Sequence, residues 1–140
     1  MKTMKRLMWV LFPIMLLLAA CDHWGSPEDN VIDCTANPVF TLGYGDTADC
    51  GDWSVTFTGD IEDSRCPTSV TCIWAGRVDV QLQLGDDLIS LGLPDSPEQG
   101  RSRDTVGNQV IELLEVLPVP VVAGEIPKKD YLIKLEVSAL

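Results

Sequence analysis

The sequence predicts an all-β domain, built as an antiparallel β-sandwich or a small barrel of six or seven short strands. Two observations predict this class. Apolar and polar residues alternate along several segments, as in strands that are buried on one face. Clusters of Gly, Pro and Asp separate these segments at short intervals. Residues 34–140 are therefore assigned to a single β domain, which is long enough to bury a modest core.

Three segments show the alternation most clearly: Trp53–Gly59, Arg77–Leu84 and Tyr131–Ala139. Every second residue in each is apolar, so one face of the predicted strand packs inward. The inward residues are Trp53, Val55 and Phe57 in the first segment, Val78, Val80, Leu82 and Leu84 in the second, and Tyr131, Ile133, Leu135, Val137 and Ala139 in the third.

Two further strands are predicted beside these. Residues 85–87, Gly-Asp-Asp, form a tight connection from Arg77–Leu84 to a strand at Leu88–Leu93. Val39–Leu42 is a shorter strand.

Val110–Leu117 has a mixed pattern that fits two turns of helix as well as a strand. Its β-branched residues and the following Pro118 favour the strand. Residues 118–130 contain three prolines and are assigned to a loop or an extended edge, and residues 94–104 form the most polar loop.

The N-terminus has the layout of a signal peptide. Lys2, Lys5 and Arg6 precede an apolar run at Leu7–Ala20, which is 14 residues long. A spanning helix needs about 20 apolar residues, so residues 1–20 are interpreted as a cleaved signal helix.

Residues 18–21, Leu-Ala-Ala-Cys, closely resemble the bacterial lipobox. The resemblance implies that the leader is cut before Cys21, that diacylglycerol alkylates its thiol, and that acyl chains anchor the protein stably to a membrane. Residues 21–33 then form the lipidated cysteine and a flexible tether. The chain is thus expected in the bacterial cell envelope, facing the periplasm or the exterior. Asp22 directly after the lipidated cysteine indicates retention at the inner membrane.

Export places the domain where disulfides persist. Without lipidated Cys21, four of the five cysteines remain, and they allow three pairings that the sequence alone does not decide. We prefer Cys34 with Cys50 and Cys66 with Cys72, because each bond closes a short local loop.

The charge of residues 21–140 excludes one class of partner. The leader carries three of the ten basic residues and none of the 21 acidic ones, which leaves a formal charge of −14. Such a chain repels nucleic acid and anionic lipid. No nucleic-acid partner is therefore expected.

No catalytic, metal or cofactor site is expected. The spacing of Cys66 and Cys72 is longer than that of zinc or thioredoxin-type pairs, and the single histidine, His23, lies next to the anchor. The acid clusters Asp46/Asp49/Asp52 and Asp60/Glu62/Asp63 do not match a calcium-loop motif and are interpreted as solvated turn carboxylates.

Two aromatic residues and one ion pair are assigned structural roles. Trp53 lies on an apolar strand face, and Trp74 precedes Ala75-Gly76, whose small size permits close packing, so both are predicted in the core. Arg65 and Asp63 are predicted to form an exposed pair worth at most about 1 kcal/mol.

The stretch DSRCPTSVTCIWAGRVDVQL, which begins at Asp63, resembles a motif in a group of small, largely uncharacterised bacterial lipoproteins and secreted proteins. The likeness covers about residues 39–139. The resemblance implies a β-rich exported domain with a stapled loop and no catalytic role. The Cys34/Cys50 pair is an addition to the common pattern.

Two function classes follow. The first is an envelope lipoprotein whose β domain is a binding or structural module for an envelope protein or a small ligand. The alternative is a protease inhibitor-like module that presents the Cys66–Cys72 loop as a rigid strand. The candidate binding residues on this loop are Arg65, Pro67, Thr68 and Ser69.

Overall fold

The described residues of this computed structural model, 31–96 and 100–140, form ten β-strands and one 3₁₀ turn at Lys128–Asp130. The strands are β1 Ile32–Asp33, β2 Val39–Gly43, β3 Thr47–Asp49, β4 Ser54–Thr56, β5 Ile61–Asp63, β6 Val78–Leu84, β7 Asp87–Leu93, β8 Arg103–Val106, β9 Gln109–Leu117 and β10 Leu132–Ala139.

Two sheets contain these strands. In the first sheet, β1 pairs with β3, β3 with β4, and β4, β5 and β7 all pair with β6. Strands β4 and β5 lie end to end along β6, because β5 pairs with residues 78–80 and β4 with residues 83–84. The second sheet has the order β2-β10-β9-β8. Every pair is antiparallel except β1 with β3. The described residues form strands and no α-helix, so the all-β prediction is confirmed. Their sheets do not close into a barrel, so of the two predicted architectures the structure has the two-sheet sandwich.

The predicted inward faces supply the core. Val78, Val80, Leu82 and Leu84 of β6 are all buried and alternate with partly exposed residues. Strand β10 repeats the pattern: Ile133, Leu135 and Val137 are buried, although Ala139 is exposed. Val55 and Phe57 are fully buried, and Trp53 is half-buried against this core.

The predicted turn at residues 85–87 is confirmed. Leu84 pairs with Asp87, so Gly85 and Asp86 alone make the turn, and Asp87 already belongs to β7. Gly85 has a φ of +56°, which glycine adopts at little cost.

Val110–Leu117 lies in a strand, as predicted, and a bulge explains its mixed pattern. Leu135 of β10 pairs with Leu113, whereas Lys134 pairs with Glu115, which leaves Leu114 as an extra residue. Leu113 and Val116 therefore point inward while Leu114 and Glu115 are exposed.

The structure has more strands than the six or seven predicted. Strand β8 occupies part of the predicted loop 94–104, and β1 includes the last two residues assigned to the tether. These strands have four and two residues, too few to show an alternating pattern. The predicted signal helix, Cys21, Asp22 and His23 lie outside the described residues. No helix in the described part of the chain is long and apolar enough to cross a membrane.

Candidate functional site

The two disulfides lie at opposite ends of the sandwich. Cys66 and Cys72 follow β5 at the end where β6 and β10 begin, with a Cα–Cα distance of 5.9 Å. Cys34 and Cys50 follow β1 and β3 at the other end, with a Cα–Cα distance of 5.0 Å. The structure thus has the pairing that we preferred among the three. The first of these ends is called the motif end below.

Asp63, at the end of β5, is the centre of a hydrogen-bond network at the motif end. Arg65 donates to its carboxylate from the backbone N–H (3.0 Å), from Nε (2.9 Å) and from Nη2 (2.6 Å). Tyr131 donates from its hydroxyl to Asp63 Oδ2 at 2.9 Å. One carboxylate thus joins the first sheet to the start of β10 in the second.

This network shifts two titrations. Burial by itself raises the pKa of Asp63, but the hydrogen bonds from Arg65 and Tyr131 outweigh burial and leave the pKa below its ordinary value. Burial, followed by the hydrogen bond to Asp63, raises the pKa of Tyr131 to about 12. Both groups are therefore held in the forms that make the hydrogen bond, the carboxylate and the neutral phenol.

Arg65 also ties the two sheets together through the backbone. Its Nη1 donates to the carbonyl of Val116 at 2.6 Å, and its Nη2 donates to the carbonyl of Pro118 at 2.8 Å. The side chains of Arg65 and Asp63 are only 16% and 9% exposed. The prediction of an exposed surface pair is therefore wrong, because the approach of β9 covers the pair. Arg65, predicted as a binding residue, points inward and holds the scaffold.

The motif loop, residues 66–75, is held by backbone hydrogen bonds on two sides. Cys66 N–H donates to the carbonyl of Ala75 at 3.3 Å, which closes the loop. Val70 N–H donates to the carbonyl of Pro67 at 3.2 Å and forms a tight turn. The disulfide is the third restraint, so the loop is a stapled turn and not an extended strand.

The loop also joins the segment that follows β9. The backbone N–H of Thr68 donates to the carbonyl of Pro120 at 2.9 Å, and that of Ser69 donates to the carbonyl of Val121 at 3.1 Å. The amides of these two predicted binding residues are thus already used. Their side chains remain exposed, and Pro67 is half-buried.

Gly76 is required by the backbone at the base of this loop. It has a φ of +72°, and a Cβ at this position would overlap the carbonyl oxygen of Ser64. The close approach lets Ser64 N–H donate to the carbonyl of Arg77 at 2.7 Å. The glycine therefore serves the backbone contact with residue 64 and not the packing of Trp74.

Trp74 is 80% exposed and Ile73 is 92% exposed. The prediction that Trp74 lies in the core is wrong. The loop turns away from the sandwich after Cys66, and within the described residues no strand passes over its outer side. The core at this end is closed instead by Tyr131, which is buried.

These two residues belong to a concentration of exposed apolar side chains, which we call the apolar patch. Six of the twelve exposed large apolar residues in the described part of the chain lie in the motif loop and in the segment hydrogen-bonded to it. They are Val70, Ile73, Trp74, Val119, Val121 and Val122. Sequence reasoning missed this patch, although residues 70–74 and 119–122 fall outside every period-two segment.

The patch segments carry almost no charge. Residues 64–76 and 117–124 contain one charged side chain, Arg65, and that side chain points inward. Lys128 beyond them pairs with Asp60 at 2.8 Å. The hydrogen bond from Lys128 lowers the pKa of Asp60. The surface is thus uncharged on a domain with a large excess of acidic residues.

Two open grooves flank the base of the loop. One, of about 480 Å³, lies between β5 and residues 120–128, with Tyr131 and Arg65 among its lining residues. The other, of about 660 Å³, is lined by Trp74, Arg77, Pro94 and both loop cysteines. Arg77 Nε donates to Asp79 at 2.6 Å, and its Nη1 donates to the carbonyl of Pro94 at 2.9 Å.

The prediction of solvated turn carboxylates holds for Asp46 and Asp49 of the first acidic cluster. It is wrong for Asp63 of the second, which ends β5, is 9% exposed and is held by Arg65 and Tyr131. Asp46 Oδ2 accepts from Gly43 N–H at 2.8 Å, and Asp49 Oδ1 accepts from Gly51 N–H at 2.9 Å. Residues 31–96 and 100–140 contain no group of three or more His, Cys, Asp or Glu that could hold a metal ion.

Comparison with known proteins gives no relative. No protein-family model, no curated protein sequence and no solved structure matches this chain at a significant level.

Proposed function

We propose that this chain is a lipid-anchored protein of the bacterial cell envelope and that its β domain is a binding or structural module without enzymatic activity. The lipobox-like residues 18–21 support the anchor. Retention at the inner membrane through Asp22 is part of this proposal. The contact surface of the module is the apolar patch at the motif end.

The observation that carries the proposal is the exposure of Ile73 and Trp74 on a restrained loop. A soluble domain gains nothing in stability from leaving such side chains in water, and clustered exposed apolar residues mark interaction sites. The disulfide and the bonds from Thr68 and Ser69 to the neighbouring segment hold the loop in place. A pre-ordered surface loses little conformational entropy when it binds.

The geometry of the loop favours this reading over a protease inhibitor-like module. An inhibitor loop of that kind offers an extended backbone to the protease. Here the amides of Thr68, Ser69 and Val70 already donate to carbonyls of the same chain. The side chains of residues 70–74, and not the backbone, are what the loop presents.

The anchor is tested by fractionation. Cys21→Ser should leave an unprocessed or mislocalised product that no longer fractionates with membranes. Continued membrane association with normal cleavage after Ala20 would contradict the anchor. Separation of inner and outer membranes for the wild type and Asp22→Ser tests the sorting residue, and an unchanged outer-membrane location would contradict retention.

The contact surface is tested by photo-crosslinking in cells. A photoreactive residue at Thr71, within the motif loop, should give crosslinked products. The same residue at Ser138, which is exposed near the opposite end, is the matched control and should give few. Equal crosslinking at the two positions would contradict the assignment of the motif end as the contact surface.

A further inference from the structure

We propose that the apolar patch lies in the interfacial region of the bilayer to which the chain is anchored, so that the domain rests on the membrane by its motif end. This inference rests on the lipid anchor of the proposed function, and it names the partner of the patch. An envelope protein on the patch in place of lipid would give protein crosslinks at Thr71 and no quenching of Trp74 by the bilayer.

The composition of the patch is the first support. One tryptophan, one isoleucine and four valines are exposed, and the segments that carry them present no outward charge. Tryptophan is enriched at membrane interfaces, where its ring is buried while its N–H stays hydrated. Charged side chains would resist entry into the acyl boundary, and none lies between residues 66 and 76.

The shape of the patch is the second support. The hydrogen bonds from Thr68 to Pro120 and from Ser69 to Val121 hold the two segments side by side, so their apolar side chains form one surface. Their carbonyl and amide groups are partly paired with each other, which lowers the cost of moving this backbone toward a bilayer.

The length of the tether is the third support. Ten residues, 22–31, connect Cys21 to β1. Fully extended they reach about 33 Å, and β9, the longest strand with nine residues, spans about 30 Å. The tether is therefore long enough for the motif end to reach the same bilayer that holds the acyl chains.

Charge selects the orientation. The mature chain has a formal charge of −14, so an anionic bilayer repels most of its surface. The patch segments contribute no negative charge. The residues beside them carry both signs: Lys128 and Lys129 lie near Glu125 and Asp130, and Arg77 and Lys128 are paired with Asp79 and Asp60. Approach by the motif end places these uncharged segments, rather than carboxylates, against the lipid. We therefore expect contact to weaken as the fraction of anionic lipid rises and to recover with salt.

The experiment uses the lipidated chain in phosphatidylcholine vesicles, with and without brominated acyl chains that quench tryptophan at the acyl boundary. Trp24, three residues after the anchor, is replaced by Phe in every sample so that it does not contribute. We then expect clear quenching with Trp74 present and loss of most of it when Trp74→Phe is added, because Trp53 is half-buried in the domain. Phosphatidylglycerol is then added in steps, and quenching should fall. Absence of quenching of Trp74 in the lipidated chain would overturn the inference.

A second measurement removes the dependence on the anchor. Residues 22–140, which lack the leader and the lipidated cysteine but include the whole described domain, are mixed with the same vesicles. Ile73→Ser should weaken their partition by at least about tenfold, since an isoleucine leaves the apolar phase. Leu88→Ser is the matched control, because Leu88 is an exposed apolar residue of β7 away from the motif end, and it should not change the partition. Equal effects of the two variants would overturn the inference.

The outcomes separate the two proposals. Protein crosslinks at Thr71 without quenching of Trp74 would overturn the bilayer contact and leave the binding module intact. Normal membrane fractionation and cleavage of Cys21→Ser in cells would overturn the anchor, whereas the partition of residues 22–140 into vesicles would still decide whether the patch contacts lipid.

Discussion

The two ends of the sandwich both carry a disulfide, but in opposite surroundings. At one end Cys34 is buried and is part of the core, and Cys50 and Trp53 pack against that core. At the motif end Cys72 is exposed, and the loop that it closes carries Ile73 and Trp74 in solvent. The first disulfide therefore supports the fold, whereas the second shapes a surface that the core does not need.

Two ion pairs of the domain also differ in how far they are exposed. Arg65 at the motif end is covered and joins Asp63 to two carbonyls of the other sheet. Arg103 of β8 pairs with Glu112 of β9 on the surface, with 61% of the Arg103 side chain exposed. A covered pair that is broken leaves groups without partners, whereas the groups of an exposed pair return to water.

The largest expected effect follows from this difference. Arg65→Met should lower the free energy of unfolding by about 3 kcal/mol or more, because Asp63 and two carbonyls lose their donor while covered. Arg103→Met is the matched control and should cost less than about 1 kcal/mol. Urea unfolding of both variants measures the difference. Equal costs would contradict the role assigned to Arg65.

Removal of either disulfide should cause the next largest loss of stability. Replacing Cys34 and Cys50 by Ala should cost about 3 kcal/mol from chain entropy, since the bond spans 16 residues, plus the loss of a buried sulfur. Replacing Cys66 and Cys72 should cost about 2.4 kcal/mol, since that bond spans six. Peptide mapping without reduction checks the pairing first. A larger cost for the motif-end pair would reverse the comparison.

The same comparison extends to chemical reduction. Partial reduction followed by thiol labelling should modify Cys66 and Cys72 before Cys34 and Cys50, because Cys34 is 6% exposed. The emission of Trp74 should change little when its loop is opened, since the ring is already in solvent. A large shift of Trp74 emission on reduction would contradict its exposed position.

The Asp63–Tyr131 contact predicts two limits of pH stability. The pKa of Asp63 is lowered on folding, so its stabilisation is present above the unfolded pKa near 3.8 and is lost as pH falls through the folded pKa. The pKa of Tyr131 is raised from 10.0 to about 12, so stability should fall as pH rises between these values. Tyr131→Phe should lower the free energy of unfolding by about 1 kcal/mol at neutral pH. It should also remove the fall in stability at alkaline pH that comes from the titration of Tyr131. An unchanged alkaline profile would contradict the contact.

The smallest effect on stability is expected at the most exposed residue. Trp74→Ala should change the free energy of unfolding by less than about 0.5 kcal/mol, because the side chain makes little contact with the core. Tyr131→Ala at the same end should cost several kcal/mol, because Tyr131 is buried. Thermal unfolding of the two variants measures both costs. A large loss of stability in Trp74→Ala would contradict the exposed position of its ring.

Alternation in the sequence predicted most of the fold, and the reason is local. Every second residue of a strand faces the same way, so β6 and β10 could be read directly from Arg77–Leu84 and Tyr131–Ala139. Strand β9 was harder to predict, because the bulge at Leu114 shifts the alternation of apolar and polar residues by one position and so imitates helical spacing. The short strands β1 and β8 contain too few residues to show a period.

The sequence by itself determined which faces of the long strands are buried, where the tight turn at Gly85 lies and which cysteines are close along the chain. Only the tertiary structure decided the environment of Arg65 and Trp74, which lie between strands. Arg65 is covered because β9 and the residues after it, more than 50 positions away, supply its carbonyl partners. Trp74 is exposed because the described residues place no strand over the outer side of the motif loop. The burial of a loop residue depends on distant segments, so no local pattern could reveal it.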